Sequence, residues 1–239
     1  MFTVKATSTI DCKNLPSDEI NKKVVETLQD KYCKHVVLKN VDKHQGLLEG
    51  IKTKKIIEVI GNPGSYFANS LVGVKVIVDG NVGEYSCGDA VGSKFSIWGS
   101  SGSSFGCSAG LTDFYVRLMV RDDSFFNLSP SVKVAVGEFV GKNFARNASG
   151  GNVVMLNIKD KELIIDDDIN WLEDAANVTL YLRGQVTLQT NRFFLRETNE
   201  EDEDVYLPLI SEFVRLFNLS LSGVKSKPFY KLEFSKQNT

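Results

Sequence analysis

Several features are scarce or missing in this chain, and each shortage excludes a class of function. Its 239 residues contain no apolar run of about eighteen that could cross a bilayer as a helix. The opening MFTVKATSTID lacks the basic-then-apolar layout of a secretory leader. Together these predict a cytoplasmic protein with no membrane partner, in which the Asn-x-Ser/Thr triplets at Asn127, Asn147, Asn177 and Asn218 carry no sugar. A strong charge of one sign is missing too: 28 Lys and Arg against 30 Asp and Glu give a formal net charge of −2, with both signs spread along the chain. That argues against a nucleic-acid groove. The four cysteines, Cys12, Cys33, Cys87 and Cys107, have no CxxC or other metal-ligand spacing, and an intracellular chain keeps such thiols reduced. The two histidines, His35 and His44, have no carboxylate or cysteine at triad or ligand spacing, so surface or structural roles are expected. Consecutive acids at Asp166 to Asp168 and Glu200 to Asp204 point in different directions and read as solvated charge. No catalytic residue, cofactor or metal is expected from this chain.

What is present is a repeat. From Ile57 to Phe114, blocks overlay with a fixed offset of nineteen residues: Gly61, Gly80 and Gly99 fall in one column, and Gly64, Gly83 and Gly102 in a second. Ile57, Val76, Phe95 and Phe114 form an apolar column, and Val59, Val78, Ile97 and Val116 another two places on, with Glu58, Ile77, Ser96 and Tyr115 varying between them. A weaker glycine column runs through Gly73 and Gly92 to Leu111. A period near twenty marks a solenoid, whose units bury their apolar face by stacking on neighbours. Alternation at 57 and 59 is strand periodicity, so each block contributes a strand, a glycine turn and more extended chain. The expected fold is an all-β solenoid, a right-handed parallel β-helix with coils of about nineteen residues, capped by short flanking α-helices. The glycines are expected where φ is positive or where a Cβ would strike the next rung.

The flanks are less regular. Residues 3 to 12, with Val4, Ala6 and Ile10, look extended. A helix follows over residues 18 to 31, with Ser17 as its N-cap and Ile20, Val24, Val25 and Leu28 as its stripe. His35 to Val41 reads as a strand. After Val116 the period breaks, and RLMVRDDSFFNLSPS reads as an irregular excursion. The columns resume at Val134 and Val136, displaced by three periods plus one, so that Gly141 matches Gly83 and Gly150 matches Gly92. Val178 to Gln189 alternates as one or two strands. Residues 204 to 218 form a second helix, with Tyr206, Leu207, Ile210, Phe213, Val214 and Phe217 on one stripe and the acids at its positive end. The expected division is an N-terminal α+β cap (1–56), the β-helix (57–190) and a C-terminal helical extension (191–239), in one compact unit. Open strand ends would template aggregation, so the two helices are expected to cover the ends of the solenoid. That leaves partners the flanks, where Tyr66 and Tyr85, one period apart with Ser104 next, are candidates for a protein contact; the other reading packs them under the excursion.

The blocks VIGNPGSYFANSLVGVKVIVDGNVGEYSCGDAVGSKFSIWGSSGSSFG, YVRLMV and VAVGEFVGKNFARNASGGNVVML resemble the GXGXG β-helix domain of the glutamate synthase large subunit. A relative of that domain occurs within formylmethanofuran dehydrogenase, as one of its subunits. The resemblance is to the freestanding-subunit form, and STIDCKNLPSDEIN, LYLRGQ, EDEDVYLPLISEFVRLFN and FYKLEF extend it over roughly residues 5 to 235. Leu111, Leu118, Ala145, Val74 and Ser93 stand where the pattern favours glycine, and the ending SKQNT replaces a basic and aromatic one.

The resemblance implies a non-catalytic scaffold of an amidotransferase or oxidoreductase complex in glutamate biosynthesis. Glutaminase-type and FMN-domain subunits would be its partners. The leading cysteine of the glutaminase is absent here, with Phe2 at position two, as is any cluster-ligand spacing. Two alternatives stay open: a β-helix repurposed as a binding protein in an unrelated pathway, and a β-helix enzyme. The second needs carboxylates clustered on neighbouring rungs, whereas Asp79, Asp89 and Asp113 fall in different columns.

Overall fold

The computed structural model describes residues 6–235. Val4 and the ending Lys236 to Thr239 lie outside these. In chain order the elements are β1 (Thr7–Asp11), α1 (Ser17–Gln29), β2 (His35–Asp42), β3 (Ile56–Asn62), β4 (Lys75–Asp79), β5 (Lys94–Ile97), β6 (Asp113–Val116), β7 (Lys133–Val136), β8 (Gly151–Met155), β9 (Leu163–Asp166), a 3-10 turn (Asp167–Ile169), β10 (Val178–Arg183), β11 (Val186–Gln189), β12 (Phe193–Glu197), α2 (Glu200–Leu216), α3 (Leu221–Val224) and β13 (Phe229–Phe234). An 11-stranded sheet runs β1-β2-β3-β4-β5-β6-β7-β8-β10-β13-β12. Its strands β1 to β8 and β10 are parallel rungs of one β-solenoid. β13 and β12 close the sheet antiparallel, and β9 and β11 form a separate parallel pair.

The repeat columns are physical columns. Ile57, Val76, Phe95, Phe114, Val134, Val153 and Leu180 stand in register. Val59, Val78, Ile97, Val116, Val136, Met155 and Leu182 do the same two residues on, and every one of these side chains is buried. Each contributes the roughly 1.5–3 kcal/mol of a buried apolar side chain, and a one-residue slip would turn the whole set outward. The stack also starts earlier than the repeat: Val36 and Leu38 of β2 pair with Ile57 and Val59, and Ser8 and Ile10 of β1 pair with β2.

The segment after Val116 is not an irregular excursion. Val120 bridges both Ser101 and Val140, and Phe125 N donates to Phe105 O at 2.8 Å. The coil is kept, with one extra residue at the corner near Pro130: Ser129 N still donates to Ala109 O, twenty back, but Lys133 N donates to Thr112 O, twenty-one back. Without glycine the period simply became invisible.

The two long helices take different places. α1 lies across the first coil. Ile20 and Val24 enter the interior cluster, Asn21 Nδ2 donates to Gly46 O at 2.9 Å, and Asn21 Oδ1 accepts from Leu48 N at 2.9 Å. Pro16, not Ser17, is the N-cap, without a side-chain capping bond, and Val25 points away from the core at 46% exposure. α2 does not cover the other end. It lies along the outer face of the sheet, where Tyr206, Leu209, Ile210, Phe213, Val214 and Phe217 pack on Tyr115, Ala135, Val154 and Tyr181 in a second apolar cluster. Those sheet residues are one outward column, continuing the sequence Glu58, Ile77, Ser96. An apolar stripe on a sheet has to be covered by another layer, and the part of the column under α2 begins at Tyr115, beyond Glu58, Ile77 and Ser96.

The acid run that opens α2 is not all solvated. Asn199 caps the helix in a reciprocal capping box with Asp202. Asp202 is buried, accepting from Arg196 Nη1 at 2.8 Å, Arg196 Nη2 at 3.1 Å and the Tyr181 hydroxyl at 3.2 Å. The Arg196 guanidinium, above all, holds its carboxyl down at about 2. Among the described residues no helix is long and apolar enough to cross a membrane.

Candidate functional site

The expected turn glycines lie in stacked turns, and close approach governs them. A Cβ on Gly80 would stand 2.7 Å from Gly61 C, on Gly99 2.6 Å from Gly80 O, on Gly83 2.6 Å from Gly64 O and on Gly102 2.7 Å from Gly83 C. Gly61 and Gly64 meet the backbone of Val41 and Lys43 in the coil before, and Gly141 meets Asp122 N at 2.6 Å. Gly150 abuts Pro130 Cα at 2.8 Å. Gly73 and Gly92 are the different pair: φ is +73° and +61°, with Gly92 facing open space, so conformation alone favours glycine there. Side-chain amides stitch the same turns, Asn62 Oδ1 accepting from Asn81 N and Asn81 Oδ1 from Ser100 N, both at 2.8 Å.

Most of the left-handed backbone belongs to other residues. In each coil three alternate positions have positive φ: Tyr66, Ala68 and Ser70 at 59°, 57° and 56°, then Tyr85, Cys87 and Asp89 at 54°, 60° and 52°. Ser104, Gly106 and Ser108 follow, then Asp123, Phe125 and Asn127. This conformation costs an L-residue roughly 1–2 kcal/mol, so the ladder must hold it. The outer two positions donate forward and the middle one back: Tyr66 N to Glu84 O at 2.9 Å, Ala68 N to Leu47 O at 2.7 Å and Ser70 N to Gly88 O at 2.8 Å. The middle positions point inward and are buried, as at Ala68, Cys87 and Phe125. The outer positions face solvent.

This alternation places Tyr66 and Tyr85 outward on one turn face. Their rings stack with centroids 5.4 Å apart and planes 11° apart. They are 50% and 49% exposed, so neither packs under a loop. The register puts Gly46 before the pair and Ser104, Asp123 and Asn143 after it, each a left-handed position. Beside Ser104 lies a depression of about 170 Å³ lined by Ser104, Cys107, Asp123, Phe126, Asn143 and Arg146. Burial pushes the Cys107 thiol up, with Asp123 and Asp89 adding to the effect. The arrangement offers a raised aromatic plate flanked by carboxylates and amides, a surface for recognition through ring faces and hydrogen bonds.

Two features escaped the sequence. One is a groove of about 280 Å³ between α2 and the sheet, lined by Asp113, Tyr115, Lys133, Asn152, Asp204, Val205, Pro208 and Leu209. Burial raises the Asp113 carboxyl despite Lys133 and Lys94 beside it, and Glu212 of α2 takes Lys94. Lys75, Lys94, Asp113, Lys133 and Asn152 are one strand column, with the register nineteen at every step but the twenty from Asp113 to Lys133. The other is Arg183, buried and donating to Val224 O, Leu156 O, Asn157 O and Asp160 Oδ1, which ties α3 to the last coil. In the sequence it stood only as one letter of the LYLRGQ segment, with nothing to indicate burial or partners. Among the described residues the four cysteines are free thiols, and no three His, Cys, Asp or Glu side chains converge as metal ligands. His35 Nε2 lies 3.0 Å from Glu58 Oε2 on the next rung.

No protein-family model, curated protein or solved structure matches the chain.

Proposed function

We propose that this chain is a non-catalytic scaffold subunit of a glutamate-synthase-like amidotransferase or oxidoreductase complex, cytoplasmic, holding a glutaminase-type and an FMN-domain subunit at fixed separation. One observation carries the proposal: the parallel rungs β1 to β8 and β10 form an unbroken in-register stack around a continuous buried interior. At about 4.8 Å per rung, eight steps make a strut of roughly 38 Å. Close-packed interiors transmit position instead of absorbing it, so groups docked on the flanks of such a strut keep their spacing. The layout of the glycine turns, which resembles the freestanding GXGXG subunit, is what favours a complex of this kind over another. The stacked Tyr66 and Tyr85 are the flank contact this proposal uses.

The test is affinity purification of the tagged chain from its native host under gentle conditions, followed by mass spectrometry and flavin absorbance. The proposal expects a stoichiometric complex containing glutaminase-type and flavin-bearing subunits. Ammonia release from glutamine by the isolated chain, abolished by a point substitution within it, would refute the non-catalytic role. A second reading, a β-helix repurposed to bind an unrelated protein, is favoured by Leu111. It stands at φ +50° where the pattern favours glycine, and it is 66% exposed. A complex lacking both expected subunits would support that reading.

A further inference from the structure

We infer that the Tyr66/Tyr85 plate docks a cationic, arginine-bearing segment of a protein partner; this rests on the proposal that partners bind the flank of the solenoid. The first argument is the free ring faces. Each tyrosine uses one face in the mutual stack. The next positions in the column are Gly46 on one side and Ser104 on the other, too small to cover the outer faces. An aromatic face carries negative quadrupole charge and attracts a cation lying over it, and a planar guanidinium does so while stacking.

Charge supplies the second argument. Within the coils from Gly61 to Val116 the only basic residues are Lys75 and Lys94, and both open strands β4 and β5, away from the tyrosine turn; on the coils to either side, Lys43 lines one depression with Glu84 and Arg146 lines another with Asp123, neither as an ion pair. Lys94 is moreover taken by Glu212. The turn face itself carries Glu84 and Asp89, both exposed. The Glu84 backbone carbonyl accepts the Tyr66 N–H at 2.9 Å, and Glu84 directly precedes Tyr85, so its exposed side chain belongs to the same turn face. Asp89 is the third left-handed position of the same turn, and Asp123 continues the tyrosine column two rungs on. Among the described residues, neither Glu84 nor Asp89 nor Asp123 has an ion-pair partner. With Glu84 and Asp89 exposed and unpaired on the turns that carry the rings, guanidinium groups gain both ring and carboxylate contacts, which an acidic or phosphate-bearing partner would not. The tyrosines also occupy left-handed backbone that asparagine or glycine adopts more readily, so the fold does not explain their presence.

The experiment uses the full chain and fluorescein-labelled heptapeptides of alternating glycine with arginine, lysine or glutamate, read by anisotropy. The arginine peptide is expected to bind, the lysine peptide more weakly, and the glutamate peptide not at all. Tyr66→Asn/Tyr85→Asn, which suits the left-handed backbone, and Glu84→Gln/Asp89→Asn should each weaken arginine-peptide binding roughly three- to ten-fold. Equal binding of the arginine and glutamate peptides, or unchanged binding by both variants, would overturn the inference. The same variants applied to the native complex separate the two claims. Partners lost with the tyrosine variant but retained with the carboxylate variant would leave docking standing and refute its cationic chemistry. Peptide binding as expected with no native complex would refute the scaffold and keep the site.

Discussion

The ring of Phe125 fills the space that a side chain on Gly106 would need. A Cβ on Gly106 would lie 2.6 Å from Phe125 Cε1 and 2.8 Å from Cδ1. The two residues occupy the same inward column on adjacent rungs, between Cys87 and Ala145. In the neighbouring column the sizes run the other way, with Phe67, Ser86, Phe105, Ser124 and Phe144. The interior is therefore filled by pairs, Phe105 with Gly106 and Ser124 with Phe125. Edge-to-face contacts link Phe105, Phe125, Phe144 and Trp171 at 5.6, 5.7 and 6.2 Å.

This pairing predicts coupling. Phe125→Ala should cost about 3–5 kcal/mol as a cavity mutant, and Gly106→Ala about 1–3 kcal/mol from overpacking and left-handed strain. In the Phe125→Ala background the Gly106→Ala cost should fall to about 1 kcal/mol, the backbone part alone. Urea unfolding of the four proteins measures the cycle, and additivity within about 0.3 kcal/mol would contradict the packing.

Glycines of two kinds should respond differently. Gly83→Val drives a side chain into the Gly64 backbone and should cost roughly 1–3 kcal/mol. Gly92→Asn enters open space at φ +61°, a conformation asparagine tolerates, and should cost about 0.5 kcal/mol or less. Thermal melts of both variants give the comparison, and equal losses would show that close approach to the next rung does not govern the Gly83 column.

The columns themselves were legible because their chemistry is periodic: Ile57 and Val76 to Phe114, and the glycines whose Cβ would collide, follow one register. The coil over residues 117–132 was illegible because Leu118 and Arg121 stand in its two glycine columns, and because its left-handed positions, Asp123, Phe125 and Asn127, share no residue type with the same columns of the coils before. The position of α2 was written in the outward column, where Glu58 and Ile77 give way to Tyr115, Ala135, Val154 and Tyr181. Taking that column as freely varying hid it. The exposure of Tyr66 and Tyr85 was legible from register, but their stacking and backbone conformation were not.

If the outward stripe holds α2, Phe213→Ala should cost about 3–5 kcal/mol, since Phe213 is fully buried in the second cluster. It should also raise binding of a hydrophobic dye as Tyr115, Ala135 and Val154 become accessible. A loss under about 1 kcal/mol with unchanged dye binding would place the helix elsewhere.

Asp202 gives a pH signature. Its folded value of about 2 lies below the ordinary 3.8, so its contribution is complete above pH 3.8 and is lost as pH falls toward 2. The partner Arg196 is partly exposed, which limits the contribution to about 1–2 kcal/mol. The stability gap between the wild type and Asp202→Asn should therefore be constant from pH 7 to 5 and shrink between pH 4 and 3. A gap independent of pH over that range would show that the pair with Arg196 contributes nothing.

The most direct test of the rigid rung ladder is electron-electron distance measurement between spin labels on one left-handed column. Ser70, Asp89, Ser108, Asn127, Asn147 and Asp174 follow one another rung by rung, each N–H donating to the coil after it up to Asn147. With Cys107→Ser to remove the accessible thiol, labels at Ser70 and Asn147 span four rungs, and labels at Ser70 and Asp174 span five. At about 4.8 Å per rung, backbone separations of about 19 and 24 Å are expected. The account predicts two narrow distributions whose means differ by about 5 Å; broad distributions, or a longer distance for the Ser70 and Asn147 pair, would contradict it.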